Sequence, residues 1–305
     1  MALADLLTVS VAPAPGERPR DQELDLFGLT HRGKVRKENK DHFLLATVHH
    51  QVVIHGTSLP GADALPLRGE RLATIMLVAD GVGGGVAGGR ASQLAAETVA
   101  SYVASTLRSY QAAGSADEPE LHAALKAAAL EAHAAVRGAA GDQLVNDDGS
   151  PGRAMATTLT LAIAVWPWAY VVQVGDSRCY YYWDGELRQV TRDQTVAQDL
   201  VDSGVLKPER AATSPFSRVL ASSIGGDEAS PVVTRLDIRQ RGCVLLLCSD
   251  GLTTHVKDAE IAAQARTMES SEHLCRSLLD LALERGGTDN ITVVVGRALG
   301  GSSPA

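Results

Sequence analysis

The chain has 305 residues, 45% of them hydrophobic, with a formal net charge of −8 and a pI near 5.6. This length and apolar share suffice for a sizeable core, and the acidic balance argues against nucleic acid as the main partner, which calls for a basic face. With no apolar run of membrane-spanning length and no basic-then-apolar leader, a soluble cytoplasmic protein without a membrane partner is expected.

In chain order, residues 1–20, rich in Ala, Pro and Gly, read as a flexible tail. Residues 24–30 read as a strand, followed by a charged loop over 31–41, a strand over 42–48 and a short one around 51–54. A Pro- and Gly-containing surface loop then covers 55–69. The apolar run Ile75-Met76-Leu77-Val78-Ala79 is long enough for one buried strand, and it stops at Asp80-Gly81 before a glycine cluster running to Gly89. A carboxylate at the end of a buried strand is costly unless cations or donors meet it, and glycines just after it allow close approach to a ligand. The stretch is therefore either a metal or phosphate site, or a plain strand–turn–helix junction. It has no Gly-Lys-Ser/Thr and no dinucleotide-binding spacing.

Helical periodicity covers 91–110, with Leu94, Thr98, Tyr102 and Val103 on one face, and 118–136, with Leu121, Leu125, Ala129 and Val136 inward. A polar connector over 138–153 follows. Strand-like runs then come closely spaced at 155–165, 169–174, 178–183 and 186–190, the last two joined by the hairpin signal Asp184-Gly185. Residues 195–205 look helical, and 207–226 are irregular. Strands follow at 232–238 and 243–248, the latter ending in a second Asp-Gly pair at Asp250. A helix over 271–284 and a strand over 291–297 complete the pattern. Blocks of strands and blocks of helices, with no repeat and no linker, indicate an α+β fold with helices layered on antiparallel sheets. Of the four cysteines, which show no CxxC pairing, three lie in apolar or helical surroundings and read as buried hydrophobes of a reducing compartment.

Asp80, Asp176, Asp250 and Asp289 all lie at strand–loop junctions beside Gly or Ser, and Asp41 begins another strand. Gathered at one sheet edge, such carboxylates would raise one another's pKa unless cations neutralised them. Hard divalent ions with oxygen ligands, Mg2+ or Mn2+, suit the set, and a pair of them ~4 Å apart is a recurring device for phosphoryl hydrolysis. No His or Cys cluster offers a zinc site.

At these motifs the chain resembles the metal-dependent protein Ser/Thr phosphatases, the PPM or type 2C class, in their bacterial form. The matching elements run from Gly33-x-Val35-Arg36-x-x-Asn39-x-Asp41 through Ala79-Asp80-Gly81-x-Gly83-Gly84 and Met155-Ala-Thr157-Thr158-Leu159. Val174-Gly175-Asp176-Ser177-Arg178, Cys248-Ser249-Asp250-Gly251-Leu252 and Gly287-Thr-Asp289-Asn290-Ile-Thr-Val complete the ordered set. Together they cover about residues 26–297, and their order makes them specific.

The resemblance implies a four-layer α–β–β–α sandwich over 21–298, with a flap at about 205–226 and a C-terminal tail at 299–305. It implies two core Mn2+ or Mg2+ ions and a third in bacterial members. Asp80 would bridge two ions, with the Gly81 carbonyl on one of them. Asp250 and Asp289 would complete the other site, and Asp176 would help hold the third. Asp41 and Asn290 would support the ligands from behind, and Arg36 would bind the substrate phosphate. Phosphoserine and phosphothreonine would be hydrolysed by attack of a metal-bridged hydroxide, with no covalent phosphoenzyme. The partners implied are phosphorylated proteins, including a Ser/Thr kinase and its substrates. Thr157 and Thr158 are expected to serve strand packing, and Ser249 to belong to the metal loop. Two positions depart from the pattern. Lys40 stands where an acidic or amide residue is usual, and its side chain is expected to swing outward. Val82 stands where some members carry a His proposed as general acid. Lys40 supports the alternative reading, a metal-poor pseudophosphatase acting as a phosphoprotein-binding or scaffold module.

Overall fold

The computed structural model describes residues 17–51, 68–83, 86–112, 118–140 and 155–300. Most of the expected N-terminal tail, residues 52–54 of the short strand, most of the loop at 55–69, most of the connector at 138–153 and residues 301–305 lie outside them. The order is β1 (Leu24–His31), β2 (Asp41–Gln51), β3 (Arg68–Val82), α1 (Val86–Ala112), α2 (Glu118–Ala140), β4 (Ala156–Thr157), β5 (Leu159–Val165), β6 (Trp168–Val174), β7 (Arg178–Trp183) and β8 (Glu186–Gln189). It continues with α3 (Val196–Asp202), α4 (Pro208–Ala211), β9 (Val232–Asp237), β10 (Val244–Cys248), α5 (Asp250–Thr253), α6 (Asp258–Arg266), α7 (Ser271–Glu284) and β11 (Ile291–Ala298).

Two antiparallel sheets form, one in the order β1-β11-β10-β7-β8 and the other in the order β2-β3-β5-β6-β9, with β4 paired to β3. Their sequences dictate burial on both faces. In β3, Ile75, Leu77 and Ala79 face helices α1 and α2, while Met76 and Val78 point between the sheets. In β10, Val244, Leu246 and Cys248 face α5–α7, while Leu245 and Leu247 meet the other sheet. A strand covered on both sides has no polar face, so it reads as a continuous apolar run. Three packed layers of side chains thus separate four layers of backbone, the α–β–β–α sandwich expected from the sequence. All four cysteines are buried and unpaired within it.

Local signals act as anticipated at several joints. The β7–β8 hairpin turns at Asp184 and Gly185 with φ of 50° and 85°, the mirror-image turn that Asp-Gly favours. Helix α7 is capped by Ser270, whose side chain accepts from the His273 amide, and it buries Leu274, Cys275, Leu278 and Ala282 on one stripe.

The structure corrects four expectations. The β3 strand does not stop at Asp80; Gly81 and Val82 continue it by pairing with Thr157 and Ala156. The run 155–165 is two strands broken at Thr158, because β4 pairs only with the end of β3 while β5 pairs with its middle. The irregular 207–226 segment contains the short helix α4, started by Pro208 at its first turn. Residues 250–266 contain α5 and α6, which the sequence reading did not assign.

Candidate active site

Antiparallel pairing brings one end of each strand bearing a key carboxylate to the same edge. Asp41 opens β2 directly opposite Asp80 near the end of β3. Asp176 follows β6, Asp250 follows β10, and Asp289 precedes β11. Asp80, Asp176, Asp250 and Asp289 line one cleft of about 510 Å³ together with Arg36, Lys37, Lys40, Gly81, Val82, Arg218 and Asn290. The carboxylates expected at one sheet edge do lie together there, Asp80, Asp176, Asp250 and Asp289 lining the cleft and the buried Asp41 pairing opposite Asp80.

Burial sets the electrostatics. The Asp80 carboxyl is pushed well above its ordinary pKa by desolvation and by the charges of Asp41, Asp250, Asp176 and Asp289. Asp176 is pushed up to about 8 by burial first and by the neighbouring Asp250 and Asp193 charges. Asp250 is raised by burial and by Asp289, with Arg218 and Arg36 opposing. Asp41, 3% exposed, is raised to about 6 by burial against the pull of two hydroxyl donors. Those donors are Ser249 Oγ and Thr292 Oγ1, both 2.7 Å from its Oδ2, while Oδ1 is buried with no hydrogen-bond partner. An orphaned carboxylate oxygen beneath a group of mutually repelling carboxylates is the environment a cation relieves, so the donor set fits divalent metal. Among the described residues no three such groups already close on one point. The cleft is thus an open acidic basin, suited to a hard cation that keeps part of its water shell.

The neighbours of these carboxylates show how they are held. The Asp80 amide donates to Thr158 Oγ1 at 3.0 Å, and its carbonyl accepts from Thr157 Oγ1 at 2.8 Å. Thr158 Oγ1 also meets Ser177 Oγ at 2.7 Å, so Asp80 is tied to the loop carrying Asp176. The two threonines therefore position Asp80 and do not merely pack. Asn290 accepts from the Lys40 amide and donates to the carbonyls of Arg32 and Glu38, each at 2.9 Å, which fastens the 31–41 loop to the start of β11. Ser249 has no base beside it and serves Asp41 instead.

Arg36 lies at the cleft, but in a two-point ion pair. Its Nε and Nη2 donate to Asp289 Oδ1 and Oδ2 at 2.8 and 2.6 Å. Lys40 does not swing outward; its Nζ donates to the Gly83 carbonyl at 2.6 Å. The glycines explain this placement. A Cβ on Gly81 would lie 2.3 Å from the Gly88 carbonyl and 2.8 Å from that of Lys40, and one on Gly88 would sit 3.2 Å from the Lys40 Cδ. Gly81 and Gly88 thus let the start of α1 close on β3 and on the lysine stem, an internal crossing where the sequence suggested approach to a ligand. Arg218, from the flap segment, lines the same cleft and donates to Thr254 at 3.3 Å. The sequence reading missed Arg218 because nothing local marks it, and the bridge between Thr195 and Leu220 that holds its segment is long-range.

Comparison with known proteins agrees with this geometry. The family model for Protein phosphatase 2C matches residues 55–280. The serine/threonine protein phosphatase PstP of Mycobacterium tuberculosis is 42% identical over 141 residues, which is 46% of this chain and 27% of that protein. The chain therefore aligns with well under half the length of that curated relative. The crystal structure of the Mycobacterium tuberculosis phosphatase PstP/Ppp superposes with a TM-score of 0.68 at 30% identity, covering 90% of this chain and 99% of that one. The PstP catalytic domain in complex with two manganese ions gives 0.66 at 30% identity, covering 90% and 98%. By the family match across most of its length, and by the carboxylate-lined strand ends that accompany it, the chain belongs to the protein phosphatase 2C family.

Proposed function

We propose that this protein is a divalent-cation-dependent phosphoprotein phosphatase that hydrolyses phosphoserine and phosphothreonine. The carrying observation is the convergence of Asp80, Asp176, Asp250 and Asp289 on one cleft, with Arg36 and Arg218 on its walls. Asp80, the Gly81 carbonyl, Asp250 and Asp289 would hold two Mn2+ or Mg2+ ions, and Asp176 would help hold a third. The ions, when bound, supply Lewis-acid stabilisation of charge on the transferring phosphoryl group.

The chain's own residues do the rest. Arg36 offers two parallel N–H donors, the arrangement that matches a phosphate as well as the carboxylate it now grips. Arg218, lining the same cleft, adds positive charge. Thr157, Thr158, Ser249 and Thr292 fix Asp80 and Asp41 by hydrogen bonds, so little reorganisation is needed as charge develops. The cleft is open and lined largely by charged side chains, fit for a phosphorylated side chain on a protein surface. Val82 offers no proton, so this residue gives the leaving alkoxide no help.

The partners proposed are phosphorylated proteins, among them a Ser/Thr kinase and its substrates, within signal transduction. A cytoplasmic place of action is proposed with them; four buried, unpaired thiols suit a reducing compartment. The pseudophosphatase alternative is not favoured, because no carboxylate of the set is missing. The test is turnover of p-nitrophenyl phosphate and of phospho-Ser, phospho-Thr and phospho-Tyr peptides with Mn2+ and with chelator. Manganese-dependent release of phosphate from the phospho-Ser and phospho-Thr peptides is expected. Folded, manganese-loaded protein without turnover would overturn the reading.

A further inference from the structure

The loop between β1 and β2 runs against the charge of the chain. The protein carries a net −8, yet residues 31–40 hold five Lys or Arg and one Glu. A charged loop is usually a solvated, yielding one, but this loop is pinned. The Lys34 amide donates to the Gly287 carbonyl at 2.7 Å, Asn39 Nδ2 donates to Thr30 Oγ1 at 2.9 Å, and Asn290 ties down the Arg32 and Glu38 carbonyls. Gly33, at φ 76°, lets the loop lie on the Asp289 backbone, where a Cβ would fall 2.1 Å from the carbonyl oxygen. The loop backbone therefore holds its basic residues in fixed order, with Arg36, Lys37 and Lys40 lining the cleft.

Two of the cations at the cleft are committed: Arg36 to Asp289 and Lys40 to the Gly83 carbonyl. Lys34 and Lys37 are exposed and form no salt bridge to any described residue. Like charges carried close together on one loop repel, and an anionic partner relieves that repulsion. Val35, 65% exposed between them, adds an apolar contact. One phosphate is already matched by Arg36 and the acid-bound cations. The positive charge of Lys34 and Lys37, outside that match, is left for the residues around the phosphorylated one. Successive residues of an extended peptide are ~3.4 Å apart, so a negative charge one to three places away lies within ~10 Å, inside the Debye length at 0.1 M salt.

We propose that the 31–40 loop selects substrates whose phosphorylated residue is flanked by further negative charge, either acidic side chains or a second phosphate. The proposal rests on the phosphatase reading above and names its substrate class. Lys34 and Lys37 are specificity residues that act on flanking positions, outside the reacting atoms.

The experiment compares three phosphothreonine peptides with the full chain and saturating Mn2+: neutral flanks, Glu at the flanking positions, and a second phosphothreonine. With rim ion pairs of ordinary strength at Lys34 and Lys37, kcat/KM for each charged peptide should exceed that for the neutral one by about tenfold, mainly through KM, and the ratio should shrink in 0.5 M salt. The two charged peptides distinguish carboxylate from phosphate as the flanking group. In the double variant Lys34→Glu with Lys37→Glu the ratio should fall to one or below, and in Lys34→Gln with Lys37→Gln it should fall towards one. An unchanged ratio in the charge-reversed protein, or no preference in the wild type, overturns the proposal while leaving the phosphatase reading intact. Failure of folded, manganese-bound wild type to hydrolyse any peptide or p-nitrophenyl phosphate overturns that reading, and this proposal with it.

Discussion

Arg36 and Asp289 hold each other in the structure, yet each is expected to bind something else in turnover. A cation on Asp289 and a guanidinium on the same carboxylate would compete, so under the proposed metal assignment Arg36 would be freed for phosphate. Arg36→Ala should therefore raise KM for phosphopeptides about tenfold, the loss of roughly 1.4 kcal/mol expected of a charge-assisted contact. It should also leave Mn2+ affinity equal to or tighter than that of the wild type. Calorimetric titration with Mn2+ checks the second half, and weakened binding would show that Arg36 supports the metal and does not compete with it. Asp80 and Asp250 stand on the other side of this division. Asp80→Asn and Asp250→Asn should each lose at least ~100-fold in turnover, about 2.7 kcal/mol, while remaining folded. Near-normal rates at saturating Mn2+ would remove these two from the catalytic set. The residues that the sequence displayed plainly were these strand-end carboxylates, because an Asp-Gly pair closing a buried apolar run is a local contradiction in hydropathy. Thr157, Thr158 and Arg218 could not be read, since their roles exist only across pairs such as Thr158 with the Asp80 amide, 78 positions apart.

Among elements, the junction of β3 and α1 carries the most meaning. The glycines after Asp80 looked in sequence like a ligand cradle, and in space Gly81 and Gly88 make a crossing of two backbones over a lysine stem. Both roles call for an absent Cβ, so composition alone could not separate them. Gly81→Ala should force the start of α1 away from β3, because the new methyl would lie 2.3 Å from the Gly88 carbonyl oxygen. The expected result is lost activity together with lost stability of roughly 1–3 kcal/mol, the usual cost of overpacking. Denaturant unfolding and p-nitrophenyl phosphate turnover, measured on the same preparation, check it; a stable and active Gly81→Ala protein would show that the crossing yields. Strand content was legible where both faces are buried, as in β3 and β10. The break at Thr158 was not, because pairing with two different stretches of β3 sets it.

For the whole molecule, the acid-lined cleft is a standing electrostatic cost of the fold in the absence of metal. Carboxylates forced close together repel, and the buried Asp41 oxygen has no donor of its own. Any cation that binds only the native state should stabilise it by about 2.7 kcal/mol at a hundredfold excess over its dissociation constant. For a chain of this size that is a rise in melting temperature of roughly 4 °C. Thermal unfolding in chelator and in excess Mn2+ measures the difference, and Asp80→Asn should show a smaller one. An identical melting point in both conditions would mean that the cleft does not take up the ion.

The last strand, β11, lies between β1 and β10 and is led in by Asp289 and Asn290. A growing chain makes it only after every other described element has been synthesised. Until then β1 has no neighbour in its sheet, Asp41 lacks the Thr292 hydroxyl, and the 31–41 loop has no Asn290 to fasten it. Synthesis thus has a built-in safety catch. On the phosphatase reading proposed above, a copy lacking β11 would leave phosphate on passing proteins, and competence would arrive with that strand.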